Sequence, residues 1–123
     1  MTRDQAEQFA ADWIHHWSHR EVQQIVSHFA PDARFMSPVA AKRTGHPLVV
    51  GREALRDYWS VVHTFTTFQF FLERTIWDQE RQELVIVYTR EIDGQRDRAC
   101  EILRFDSTGL VAEGEAMYGA TIA

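Results

Sequence analysis

Two runs of alternating apolar and polar residues, Leu84 to Glu91 and Arg98 to Phe105, flank the segment Ile92-Asp93-Gly94-Gln95. Asp-Gly supplies the positive φ angles that a two-residue hairpin turn demands, so the runs read as an antiparallel pair closed at Asp93-Gly94. That closure sets Glu91 opposite Arg96, Arg90 opposite Asp97, Tyr88 opposite Ala99, Ile86 opposite Glu101 and Leu84 opposite Leu103. Two complementary charge pairs support the register, each favourable by roughly 0.2–1 kcal/mol. One face then carries Leu84, Ile86, Tyr88, Ala99, Glu101, Leu103 and Phe105. A carboxylate on such a face costs free energy unless it is paired or protonated, which makes Glu101 the first candidate site residue.

The last strand extends this face. With Asp106-Ser107-Thr108-Gly109 as the loop, Phe105 pairs with Leu110, so Leu110, Ala112, Gly114, Ala116 and Tyr118 point inward and Val111, Glu113, Glu115 and Met117 outward. A one-residue slip at Gly109 would turn two glutamates inward, which argues against it. Glu101 then faces Gly114 between Ala112 and Ala116, small residues that leave volume for a ligand. Upstream, Thr67 to Trp77 reads as a strand with Phe68, Phe70, Leu72 and Ile76 inward and Ile76 opposite Leu84.

The first half is helical in pattern. Phe9, Ala10, Trp13, Ile14 and Trp17 recur at helical spacing and predict an amphipathic helix from Asp4 to Ser18. Val22, Ile25, Val26 and Phe29 predict a second helix ended by Pro31, and Ala33 to Met36 a short strand. Ser37 to Val50 reads as a long connection, of the kind that borders a site and orders on binding. Gly51 opens a third helix, with Glu53 in its first turn and Ala54, Leu55, Tyr58, Trp59 and Val62 on its inner side. The order predicts a single α+β domain over residues 1–123: three helices packed on a strongly curved antiparallel sheet, a cone-shaped barrel whose inner face is both core and pocket.

Composition narrows the partners. A net charge of −5 without a Lys/Arg cluster argues against nucleic acid or an anionic membrane as the main partner. No stretch approaches the roughly 20 apolar residues of a membrane span. Cys100 is the only cysteine, so no internal disulfide forms, and Met1-Thr2-Arg3-Asp4-Gln5 lacks the pattern of a secretory leader; a cytoplasmic location is expected. The outer sheet face, with Val85, Val87, Cys100, Ile102, Val111 and Met117 among Arg98, Arg104, Glu113 and Glu115, predicts a homodimer.

Four segments carry a family resemblance: Trp13 with Trp17, Phe35-Met36-Ser37-Pro38, Gly51 to Trp59, and Cys100-Glu101-Ile102-Leu103-Arg104-Phe105-Asp106 with Gly109-Leu110. Through them nearly the whole chain resembles the nuclear transport factor 2-like superfamily and, within it, the SnoaL-like (polyketide cyclase-like) group. That resemblance implies a cone-shaped α+β barrel, a ligand cavity at its open end and dimers packed through the outer sheet face. It does not fix a reaction, because the scaffold carries isomerases, dehydratases, cyclases, epoxide hydrolases and non-catalytic binders. Similar proteins have a Lys after Ser-Pro, a Tyr and a Glu on the central strands and a Tyr near the end, which here are Lys42, Tyr88, Glu101 and Tyr118. The Asp general bases of the ketosteroid isomerase and cyclase branches find no matching position.

The candidate catalytic residues are Glu101, as general acid or base, and Tyr88. Candidate ligand contacts are Trp13, Trp17, Phe35, Tyr58, Tyr88, Glu101, Tyr118, Lys42 and His46, the last from the long connection. The structural alternative pairs Glu101 with Lys42, Arg90 or another inward-reaching cation and leaves it no chemistry. His15 and His19 stand at i, i+4, but no Glu lies between them and no Cys pair completes a site, so no metal is expected, and no cofactor either. The expected function is binding of a hydrophobic small molecule, with cofactor-independent isomerase, cyclase or dehydratase chemistry at Glu101. The alternative is a non-catalytic dimerisation or ligand-sensing module.

Overall fold

The structure, a computed structural model, describes residues 1–122. It is an α+β fold, ordered α1 (Arg3–Ser18), α2 (Val22–Ser27), β1 (Phe29–Met36), α3 (Pro38–Thr44), β2 (Leu48–Val50), α4 (Arg52–Trp59), a 3-10 helix (Ser60–Thr64), β3 (Phe68–Asp78), β4 (Glu83–Ile92), β5 (Gln95–Phe105) and β6 (Val111–Ile122). Four α-helices are present where the sequence pattern indicates three. The extra one, α3, lies in the segment expected to be a loop. Ser37 caps it by accepting from the Val39 N–H, Pro38 supplies a fixed φ at its start, and Gly45 ends it at φ 84°. Phe29 opens β1 rather than closing α2, and is 1% exposed.

The strands form one sheet in the order β2-β1-β6-β5-β4-β3. It is open, with β2 and β3 as its edges, so it is not a closed barrel. Nor is it wholly antiparallel, because β1 runs parallel to β6. The β4–β5 hairpin has the register that Asp93-Gly94 and the charge pairs dictate, including Ile86 opposite Glu101 and Arg90 opposite Asp97. Asp93 takes φ 49° and its carboxylate also accepts from the Thr66 and Thr67 N–H groups. That contact ties the turn to the start of β3.

Two register expectations are corrected. Between β5 and β6, Glu101 faces Ala116, and Gly114 faces Leu103, a shift of two residues that keeps the same faces inward. Phe105 pairs with Val111 and not Leu110, the one-residue slip argued against above, and a bulge between Arg104 and Phe105 adds the second residue; Val111 is thereby turned into the core and is no part of the outer face. In β3 a bulge between Leu72 and Arg74 inverts the alternation. Trp77 therefore packs inside opposite Leu84, while Ile76 is turned out and 51% exposed; Leu72, at the bulge itself and opposite Tyr88, is 40% exposed.

The core lies between the helices and the inner sheet face, and is largely aromatic. Trp13 meets Tyr88 edge-on at 5.3 Å and Trp17 stacks on Phe70 at 5.7 Å. Trp59 packs against Trp17, Phe29 and Phe35. Such pairs add about 0.5–1.5 kcal/mol each beyond burial alone, and a gap remains between several of these rings. Among the described residues, no helix is long and apolar enough to cross a membrane.

Candidate functional site

That gap is a cavity of about 310 Å³, bounded by helices on one side and the inner sheet face on the other. From α1 comes Trp17, from β1 Phe35, from α4 Tyr58 and Trp59, from the segment before β3 Val61, Val62 and Phe65, and from the sheet Phe68, Phe70, Tyr88, Glu101 and Tyr118. Ser37 and Val39, at the start of α3, line it as well, and Arg90, Ile92, Gln95 and Asp97 complete the lining at the hairpin end of the sheet. The walls are thus mainly aromatic, with polar atoms at few points.

Glu101 is 5% exposed, and its Oε2 has no hydrogen-bond partner among the described residues. Burial pushes its carboxyl well above the ordinary carboxylate range, and the positive charge of Arg90 opposes this only in part. Arg90 itself pairs with Asp97 at 3.4 Å and places its guanidinium 3.9 Å from the ring centre of Tyr118. Lys42 is exposed. The salt bridge that would have made Glu101 purely structural is therefore not formed with either cation.

Three phenols share the cavity. Tyr88 is 1% exposed and its hydroxyl is pushed well above its ordinary value, first by burial and then by the charges of Glu101 and Tyr118. Tyr118 moves the same way, by burial and by Glu101. Tyr58 is raised chiefly by burial, and its hydroxyl lies 2.9 Å from that of Ser37. All three remain protonated at neutral pH and can donate. A second unpartnered polar atom is the Nε1 of Trp17, a group that only donates.

Of the residues expected from sequence, Trp17, Phe35, Tyr58, Tyr88, Glu101 and Tyr118 come together on this cavity. Trp13 stands behind it, against Trp17, Phe70 and Tyr88. Lys42 borders a shallower depression with Pro38, Val39, Arg90, Asp97 and Tyr118, and exposed His46 does not reach the cavity. Sequence reasoning missed Trp59, Phe68 and Phe70 as walls, treating them as core, and missed Ser37 and the 3-10 segment. The aromatic spacing that marks a core is the same spacing that marks a cavity wall, so only Ser37, beside Pro38, carried a separate signal.

The SnoaL-like domain family matches residues 10–114. No curated protein matches the sequence. Among solved structures, a SnoaL-like protein of unknown function from Burkholderia thailandensis is similar at TM-score 0.87 and 24% identity, over 97% of this chain and 98% of that one. An epoxide hydrolase/cyclase-like enzyme, SalBIII, with a role in pyran ring formation in the polyether salinomycin, is similar at TM-score 0.76 and 16% identity, over 97% and 95%. A steroid delta-isomerase from Pseudomonas aeruginosa is similar at TM-score 0.72 and 22% identity, over 94% and 80%. At these identities the structures establish the nuclear transport factor 2-like fold, and the matched span, covering most of the chain with Trp13, Trp17, Tyr88 and Glu101 inside it, makes this protein a member of the SnoaL-like domain family.

Proposed function

We propose that the protein binds a largely apolar small molecule bearing oxygen acceptors and acts on it by cofactor-independent general acid catalysis from Glu101. The observation that carries this reading is the buried carboxyl of Glu101, unpaired at Oε2 on the wall of an aromatic cavity. A carboxyl in that setting is favoured in its neutral form, and a neutral carboxylic acid donates a proton to an oxygen that gains negative charge. A phenol beside such an acid can share the developing charge, which is the role supported for Tyr88. The Trp17 N–H requires an acceptor. A carbonyl, ether or epoxide oxygen on an apolar skeleton meets these requirements, and related folds named as cyclase-like and isomerase enzymes are consistent with that class.

Lys42, beside Arg90 and Tyr118 in the shallow depression, is assigned a part in binding at the cavity mouth, and His46 is assigned none. A homodimer through the outer sheet face also belongs to this reading. Met117 is 46% exposed and Met36 43%, near half-buried Ile102 and Cys100, with the Arg104–Glu113 pair at 2.9 Å among them. The second reading, a binding module without chemistry, is favoured only if turnover is absent.

The test is a tryptophan-fluorescence titration with apolar ketones, lactones and epoxides, followed by product analysis. Saturable binding weakened by Trp17→Phe, with turnover lost in Glu101→Gln, is the expected result. Binding that ignores both substitutions would refute the assignment.

A further inference from the structure

We propose that His15, His19 and Glu21 form a binding site for a divalent transition-metal ion of the zinc type, on the side of α1 away from the cavity. The argument begins with the backbone. His15 and His19 lie one turn apart on α1, and the helix alone would offer these two rings and no third ligand. Arg20 then adopts φ 57°, in the left-handed region, and the chain doubles back so that the Glu21 N–H donates to the His16 carbonyl at 2.8 Å. That reversal brings the Glu21 carboxylate to the two rings, and one ligand atom from each residue lies within 4.8 Å of the others.

The surroundings prepare each group for ligation. His19 Nδ1 lies 2.9 Å from the His15 carbonyl oxygen, a contact it makes as a donor, which leaves Nε2 with its lone pair outward. His15 presents its own Nε2 to the carboxylate, 3.8 Å from Oε1. His16 Nδ1 holds that same oxygen at 3.2 Å, the outer partner that a ligating carboxylate commonly has. A tetrahedral ion with bonds of about 2.1 Å needs ligand atoms about 3.4 Å apart, so the three must close by about 1.4 Å at most from their 4.8 Å limit. Side chains this accessible make that movement by rotation. Two imidazoles and one carboxylate suit Zn²⁺, with the fourth position left to solvent.

The experiment is calorimetric titration of tag-free protein with Zn²⁺, beside thermal melts. One ion per chain is expected, with a melting temperature that rises with Zn²⁺ concentration. His16→Ala, which removes only the outer partner, should weaken binding about tenfold, and His19→Ala should weaken it further. Both variants are checked for native circular dichroism, and His63→Ala serves as the control that leaves affinity unchanged. No saturable binding up to millimolar Zn²⁺, one ion per two chains, or an affinity unaltered in His19→Ala would each overturn the proposal.

Discussion

The guanidinium of Arg90 sits 3.9 Å from the ring centre of Tyr118, with its charge directed to Asp97 and not to Glu101. It therefore ties β4 to both β5 and β6 at the cavity mouth and acts on Glu101 only through space. Arg90→Met should cost about 1–3 kcal/mol, from the lost cation–π contact and ion pair. A double-mutant cycle with Tyr118→Leu, read by urea denaturation, should give a coupling of about 1 kcal/mol. Coupling near zero would leave the stacking without energetic weight.

Glu101 makes stability depend on pH in a stated direction. Its folded carboxyl is raised well above the ordinary carboxyl range, so the native state holds its proton where the unfolded chain has lost it. Stability is fully present below the ordinary carboxyl range and falls as pH rises toward the folded value, by as much as about 1.4 kcal/mol per pH unit from this group. Glu101→Gln should flatten that slope and be the more stable protein at pH 8. Urea melts from pH 4.5 to 8 check both parts, and an unchanged slope would contradict the neutral carboxyl.

Gly114 is a packing requirement. A Cβ there would stand 2.8 Å from Phe35 Cδ2 and 3.1 Å from Leu103 Cδ2, both fixed in the core. Gly114→Ala should destabilise by about 1–3 kcal/mol through overpacking. Gly109→Ala, where nothing lies within 4 Å but φ is 85°, separates backbone strain from collision. Pairing Gly114→Ala with Phe35→Leu should recover part of the loss in a denaturation experiment.

For the outer sheet face, sedimentation should find a dimer at micromolar concentration. Met117→Lys, at a position 46% exposed, should shift it to monomer without altering the single-chain fold. A monomeric wild type would remove the dimer from the functional reading.

The central hairpin was legible because Asp93-Gly94 fixes the turn and two charge pairs fix the register, so sequence placed Glu101 and Tyr88 on the inner face correctly. The β3 bulge was not, since residues Leu72, Glu73 and Arg74 contain no Gly or Pro to mark it, and one extra residue exchanged Ile76 for Trp77 inside. The β5–β6 register slipped by two because an even shift leaves the same side chains inward, and hydrophobic alternation cannot see it. Helix α3 was written in Ser37-Pro38 and Gly45, but its seven residues are too short to show helical periodicity. Glu21 was hidden from His15 and His19 by a left-handed Arg20, a conformation that Arg does not advertise.

The side chain of that same Arg20 hydrogen-bonds the carbonyls of Phe65 at 2.6 Å, Thr66 at 3.1 Å and Val62 at 3.4 Å. Val62 and Phe65 line the cavity. One guanidinium thus fastens the end of α1 to the segment that roofs the site, and its three bonds cannot be released in turn by three independent groups. Displacing that segment as a body would break all three bonds together, so Arg20 couples the end of α1 to one wall of the cavity.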